Sequence, residues 1–227
     1  MKKALCSIGA GPHAPLLELS RPTFAAFAER HGYELVTSTE RDPGRPPAWA
    51  KVPMLREALD AYDLVLWIDA DAVIVDPERD IAGELERDLG LVRHRRGDAL
   101  VPNTGVMVMR SGAFARDLLD ELWAAKRFIH HPWWENAALL DALGYDLPEA
   151  YEPGLRGRAR RIATRLRRRP PRTLAQVRPS PYLDGIQFLP DEWNGVYPDR
   201  PEHLRIAHFP GVPLEERMRE MRAALGG

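Results

Sequence analysis

Residues 63 to 76 read DLVLWIDADAVIVD, and this stretch limits the fold more than any other. Leu64, Val65, Leu66, Trp67 and Ile68 form an apolar run of the length and β-branched, aromatic character of a buried strand. Asp69 and Asp71 stand at its end, and Val73 to Val75 resume the apolar character. On an extended segment two residues two apart share a face. A pair of carboxylates there costs free energy unless something compensates it.

The surroundings of that strand predict its setting. Residues 3 to 8 read as a first strand that ends in a glycine-rich turn, with Ser7 and Gly9 at its carboxyl end. A helix is expected over "SRPTFAAFAERHG", with Ser20 as N-cap and Gly32 as the stop. "YELVTS" is a second strand, "ERDPGRPPAW" a proline-rich loop, and "KVPMLREALDAY" a helix with Pro53 in its first turn. Strands alternating with helices predict an α/β chain with a mostly parallel, doubly wound sheet flanked by helices. Ligands of such sheets bind beyond the carboxyl ends of the strands, where "SIGAG" and "IDAD" both fall. Further on, a strand over Val106 to Arg110 follows a tight Asn-Thr-Gly turn. Helices are expected in "AFARDLLDELWAAKRFI", "WWENAALLDALG" and "PLEERMREMRAAL", and late strands in "GIQFLPDEWN" and "LRIAHFPG".

Length and charge narrow the function classes. The 227 residues fit one domain, 1–227, with an arginine-rich insertion at about 154–178 that carries nine arginines and no acid between Leu155 and Arg172. That segment fits a basic flap for an anionic partner, or equally a solvated helix and loop. The net charge of −1 argues against a globally basic nucleic-acid binder. Cys6 is the single cysteine, which excludes an internal disulfide framework and a cysteine-only zinc site. The apolar stretch after the two N-terminal lysines, Ala4 to Ile8, is too short for an export signal, and no 18-residue apolar run occurs. The expectation is a cytoplasmic protein without an integral membrane segment, with peripheral attachment left open.

The chemistry-bearing residues suggest a hard divalent cation. Asp69 and Asp71 offer oxygen ligands suited to Mg²⁺ or Mn²⁺, and His208, after the strand-like "LRI", brings an imidazole that favours Mn²⁺ modestly. The same Asp-x-Asp after an apolar strand also fits a haloacid-dehalogenase-like phosphatase, with Asp69 as nucleophile and Asp71 as acid/base. The motif normally opens that fold, however, whereas two strands precede it here. A non-catalytic nucleotide-, carbohydrate- or polyanion-binding protein is the further alternative.

Taken together, "PAWAKVPMLREALDAYDLVLWIDADAVI", "NTGVMVMRSG", "WWENAALLDALGY", "LPDEWN" and "AHFPG" resemble, in that order, the metal-dependent retaining glycosyltransferases. That family includes fungal α-galactosyl- and α-mannosyltransferases and plant xyloglucan xylosyltransferases. The resemblance spans about residues 5 to 211. It implies a glycosyltransferase A-type fold binding a UDP- or GDP-linked sugar, with transfer of a hexose or pentose to a carbohydrate or other hydroxyl acceptor. By the same resemblance Asp69, Asp71 and His208 would be the metal ligands, and Trp49 and Lys51 the family's "WxK" element, with Lys51 near the diphosphate or nucleotide. Asn103 and Gly105 fall in its "NTG" turn, where the asparagine would meet sugar hydroxyls and the glycine would allow close backbone approach. Glu135 and Asn136 stand where the family carries an acid followed by an amide, with Glu135 facing the donor sugar or the acceptor hydroxyl. Ser7, Gly9 and Gly211 complete the expected donor site.

Overall fold

A computed structural model describes residues 1–40, 44–96, 98–147, 174–196 and 200–226. The arginines between 156 and 172, and with them the expected basic flap, lie outside the described residues. In chain order the strands are β1 (Lys3–Ile8), β2 (Tyr33–Ser38), β3 (Leu64–Ile68), β4 (Ala72–Ile74), β5 (Leu89–Arg96), β6 (Ala99–Arg110), β7 (Ile186–Leu189), β8 (Gly195–Val196) and β9 (Ile206–His208). The helices are α1 (Ala14–His31), α2 (Lys51–Ala61), α3 (Ala113–Ala124), α4 (Trp134–Ala142) and α5 (Leu214–Ala224).

A six-stranded sheet has the order β2-β1-β3-β6-β5-β7. Only β6 runs against the others, pairing antiparallel with both β3 and β5, so the mostly parallel sheet expected from the sequence is present. β3 lies next to the centre and is buried at every residue. Val65 and Trp67 pack toward α2, α3 and α4, while Leu64, Leu66 and Ile68 pack toward α1 and α5. Both faces of this strand are therefore covered by helices, which is the physical reason its apolar run shows no alternation. A second, three-stranded sheet of order β4-β9-β8 stands at the carboxyl edge of the first. Its register sets Ala72 opposite His208.

Three local expectations change. The first helix begins at Ala14, with Pro15 in its opening turn, and not at Ser20. Ser20 is buried inside the helix and donates to the Leu17 carbonyl, and Pro22 also lies within it. Leu16 and Leu17 are buried among the residues that cover β1 and β3, and this packing extends the helix back across the positions a cap would have claimed. Gly32 does end it, in the left-handed conformation. Second, β3 stops at Ile68, and Asp69 to Asp71 form a turn closed by the Ala72 N–H on the Asp69 carbonyl. The two carboxylates therefore converge through a turn and not through an extended face. Third, Asn103-Thr104-Gly105 lies inside the twelve-residue β6 and is a bulge: Leu91 pairs with Met107 while the next residue, Val92, pairs with Asn103. A bulge re-aims side chains without ending the strand.

Gly9 serves the fold and not a ligand. A Cβ there would lie 2.5 Å from the Leu17 Cβ and 3.0 Å from the His13 carbonyl oxygen, so the chain can turn from β1 into α1 only without a side chain. Gly9→Ala is expected to cost about 1–3 kcal/mol of stability by overpacking, read from urea unfolding of both proteins. Cys6, fully buried in β1, has its thiol pushed up to about 12 by burial. It is expected to resist a disulfide reagent such as dithiobis-nitrobenzoate in the native protein and to react fully after denaturation.

Candidate active site

The carboxyl ends of β1 and β3, the β6 bulge, the first turns of α2 and α4, and the turn between β9 and α5 enclose a cavity of about 570 Å³. Asp69, Asp71 and His208 meet on its wall. Their ligand atoms lie within 4.8 Å of one another, with His208 Nε2 3.3 Å from Asp71 Oδ1 and 3.9 Å from Asp69 Oδ2. Adjacent ligands of an octahedral ion with bonds of about 2.1 Å sit about 3 Å apart, so a small closing movement suffices.

Each carboxylate has its other oxygen held by a cation. Lys51 Nζ is 2.8 Å from Asp69 Oδ1, which also accepts the Trp67 indole N–H at 2.7 Å. Arg217 Nη1 is 2.9 Å from Asp71 Oδ2. The remaining oxygens, Asp69 Oδ2 and Asp71 Oδ1, are the ones that face His208. Burial pushes the Asp71 carboxyl up, but a His208 ring carrying both protons, together with the Arg217 guanidinium, outweighs it and holds the group below the usual carboxylate range; with the ring neutral, Arg217 is the cation that remains.

The tautomer of His208 follows from a chain of hydrogen bonds. The Gly105 N–H donates to Asn103 Oδ1 at 2.8 Å, which identifies that atom as oxygen. Asn194 Nδ2 must then be the atom that donates to it, at 2.9 Å, so Asn194 Oδ1 faces His208 Nδ1 at 2.8 Å. An amide oxygen accepts, so Nδ1 carries the proton. Nε2 is left buried without a hydrogen-bond partner, its ring edge toward two carboxylate oxygens. This is how a ligating imidazole is oriented by a partner on its other nitrogen. An orphaned nitrogen between two anionic oxygens fits a divalent cation. Within the directly bonded cluster Asp69, Asp71 and Glu135 exceed Lys51 and Arg217 by one negative charge, which such an ion would reverse.

Gly105 belongs to this arrangement although it does not touch the cavity. A Cβ there would stand 2.1 Å from His208 Cε1 and 2.6 Å from Nδ1, so the close approach expected of the glycine is to the imidazole. Gly211, on the cavity wall, supplies the left-handed φ of 78° in the turn after β9.

Lys51 is buried and bridges two acids, with Nζ 2.9 Å from Glu135 Oε1 and 3.0 Å from the Thr104 carbonyl. Burial alone would pull the ammonium down, but Asp69 and Glu135 outweigh it and hold Lys51 above its usual value. Glu135 also accepts the Thr104 hydroxyl on Oε1, while its Oε2 is buried without a partner. Burial pushes the Glu135 carboxyl up, and Lys51 offsets that only in part.

Other expected contacts are taken elsewhere. Trp49 is fully buried, donates to the Ile129 carbonyl and packs edge-on against Trp123, so it belongs to the core and not to the cavity wall. Ser7 is likewise buried in β1 and Gly9 packs on Leu17, both off the wall. Asn136 lines the cavity but its amide clamps the bulge, accepting from the Thr104 N–H at 2.8 Å and donating to the Pro102 carbonyl at 3.3 Å. Asn103 spends its oxygen on Gly105 and Asn194, leaving Nδ2 as its group for a ligand.

Sequence reading missed Asn194, Arg217 and Trp134. Asn194 is the last residue of the quoted "LPDEWN", so position marked it but no role was assigned to it. Arg217 carries no local signal, being one of several charged residues on α5. Trp134 is the one non-glycine residue among those described with a positive φ, 42°. For a bulky side chain that conformation costs about 1–2 kcal/mol, and it is held by the Trp134 N–H on the His131 carbonyl and the Trp133 N–H on His131 Nδ1.

Lys51→Met is expected to destabilise the protein by about 3–5 kcal/mol, because it strands Glu135 as a buried unpaired acid; chemical denaturation of the two proteins checks this. Asn194→Ala is expected to lower Mn²⁺ affinity about 10–100-fold, measured by electron paramagnetic resonance of free Mn²⁺ in a titration.

In sequence and in fold the chain is similar to known glycosyltransferases. Residues 24–88 match the model of the galactosyl transferase GMA12/MNN10 family. Xyloglucan 6-xylosyltransferase 2 of Arabidopsis thaliana is 31% identical over 109 residues, covering 43% of this chain and 23% of that protein. An uncharacterized alpha-1,2-galactosyltransferase of Schizosaccharomyces pombe is 36% identical over 76 residues, covering 30% of this chain and 18% of that protein. The chain thus spans about a quarter or less of the curated relatives it matches. In structure, a glycosyltransferase involved in glycosylation of the major capsid of PBCV-1 superposes with a TM-score of 0.64 at 12% identity, covering 98% of this chain and 100% of that one. The galactosyltransferase LgtC, solved with donor and acceptor sugar analogs, superposes with a TM-score of 0.51 at 10% identity, covering 97% and 95%. This chain has the glycosyltransferase A-type fold over nearly its whole described length and, across residues 24–88, the sequence pattern of the GMA12/MNN10 glycosyltransferases.

Proposed function

We propose that the protein is a metal-dependent glycosyltransferase that moves a hexose or pentose from a nucleotide-diphosphate sugar to a hydroxyl acceptor. The observation that carries this reading is the convergence of Asp69, Asp71 and His208 Nε2 on one point of the cavity, within a fold and sequence pattern similar to those of glycosyltransferases. In this reading these three side chains hold Mn²⁺ or Mg²⁺, which when bound supplies Lewis-acid stabilisation of a departing diphosphate. The single-domain organisation, the UDP or GDP carrier and a cytoplasmic setting are parts of the same proposal.

The chain's own residues then have distinct work. Arg217 keeps Asp71 ionised and brings a cationic charge to the cavity wall, where a diphosphate's remaining charge would lie. Lys51 holds Asp69 in its ligating orientation from behind. Glu135 presents its unpartnered Oε2 at the far end of the same charge chain, suited to accept from a sugar hydroxyl or to stabilise positive charge developing on the sugar ring. Asn103 Nδ2 is a donor for a sugar hydroxyl. Retention of anomeric configuration, with the leaving phosphate oxygen taking the acceptor's proton, is the stereochemistry we expect from the family resemblance.

The test is a screen of UDP-, GDP- and other nucleotide-sugars with Mn²⁺, Mg²⁺ or EDTA, reading released nucleotide. Release from one donor, lost in EDTA, is expected. Asp71→Asn is expected to lower it by more than the about 10–100-fold that loss of a residue supporting a ligand costs. Absence of both turnover and metal-dependent nucleotide binding by calorimetry overturns the reading.

A further inference from the structure

The mouth of the cavity carries a feature that the metal and the diphosphate do not use. Trp133 and Trp134 both line the wall at the start of α4, directly before Glu135. Trp134 is 40% exposed, and its left-handed backbone is one that glycine adopts without strain and a tryptophan does not. The two preceding hydrogen bonds to His131, a residue only 4% exposed, hold this backbone in place. The next residue turns the other way: Glu135 is buried, with Oε2 free. One strained residue thus sets an indole at the rim beside a carboxylate at the base.

We propose that the Trp134 indole, with Trp133 beside it, is the platform on which a pyranose ring of the acceptor lies. This rests on the transferase reading for the name acceptor, though not for the binding itself. The indole face is negative and the C–H bonds along one face of a pyranose are weakly positive, so the two attract while apolar surface leaves water. Binding sites of this kind combine an aromatic wall with a few polar groups that fix orientation; here Glu135 and Asn103 are those groups. The sheet order separates this wall from the other end of the cavity. β3 with its aspartates lies between β6, to whose bulge Glu135 and Asn136 bond, and β1, whose end contributes Ile8 and Ala10. A pyranose on the α4 wall approaches the metal site from the side opposite β1.

The experiment is saturation-transfer difference NMR with methyl gluco-, galacto- and mannopyranosides as probes, in the presence of Mg²⁺ and UDP or GDP. With the native protein, transfer is expected to the C–H protons of one ring face of at least one probe. In Trp134→Gly that transfer is expected to fall at least fivefold while thermal unfolding stays where it was or moves up, because the backbone strain is released. Trp134→Asn, which also tolerates a left-handed backbone, serves if the glycine variant does not fold. No transfer to any pyranoside from the native protein overturns the proposal, as does equal transfer in the variant. Loss of transfer to uridine or guanosine in place of the pyranosides also overturns it and makes the indole a base platform. Calorimetry with the nucleotides and Mn²⁺ is read separately: pyranoside transfer without nucleotide binding leaves a carbohydrate site standing and removes the transferase reading.

Discussion

The buried Lys51 ammonium is the interaction on which the site depends. It sits in the first turn of α2 and reaches Asp69 after β3, Glu135 in α4 and the Thr104 carbonyl in β6, so one charge joins four elements. A lone ammonium or carboxylate would not persist at this depth. Together they do, because each acid keeps the lysine charged and the lysine leaves each acid an oxygen to spare. Those spare oxygens, Asp69 Oδ2 toward His208 and Glu135 Oε2 without a partner, are the ones with chemistry available. The pairing that stabilises the fold also decides which atoms face the cavity.

The second support is neutral. From Gly105 through Asn103 and Asn194 to His208, each hydrogen bond fixes the orientation of the next amide until the imidazole has a single tautomer left. The β6 bulge is what makes the chain possible, because it brings Asn103 and Gly105 into line with β9 and removes the side chain that would meet the ring. The small sheet of β4, β9 and β8 then sets Ala72 opposite His208, and the Phe209 N–H donates to the Asp71 carbonyl, so the turn that carries Asp71 is anchored beside the imidazole by the register of the strands that follow it. Among the described residues, backbone strain enters at the rim, at Trp134, where a ligand rather than the core would benefit from it.

Much of this was legible along the chain. The apolar run of β3 predicted a buried strand, and the pair Asp69 and Asp71 at its end suggested a cation site, because burial and carboxylate charge are properties of residue type. His208, Glu135 and Lys51 were singled out by order and pattern, and the fold brings all three to one cavity. Roles that depend on who the neighbour is were less legible. Trp49 resembled a ligand-binding residue and is a core residue; Asn136 resembled a catalytic amide and bonds to the backbone of the bulge. Ser20 carried the local mark of a helix start, yet the packing of Leu16 and Leu17 carried the helix past it.

What the sequence determined by itself was therefore the layered α/β architecture, the anionic strand end and the kinds of atom available to bind an ion. Only the tertiary structure decided which oxygen of each carboxylate is free, which nitrogen of His208 is bare, and that Arg217, Asn194 and Trp134 take part at all. The physical reason is range. Apolar periodicity and strand-end chemistry are written over a few neighbouring residues. Arg217 meets Asp71 across 146 positions and Asn194 meets Asn103 across 91, contacts that exist only once the sheet has closed its register.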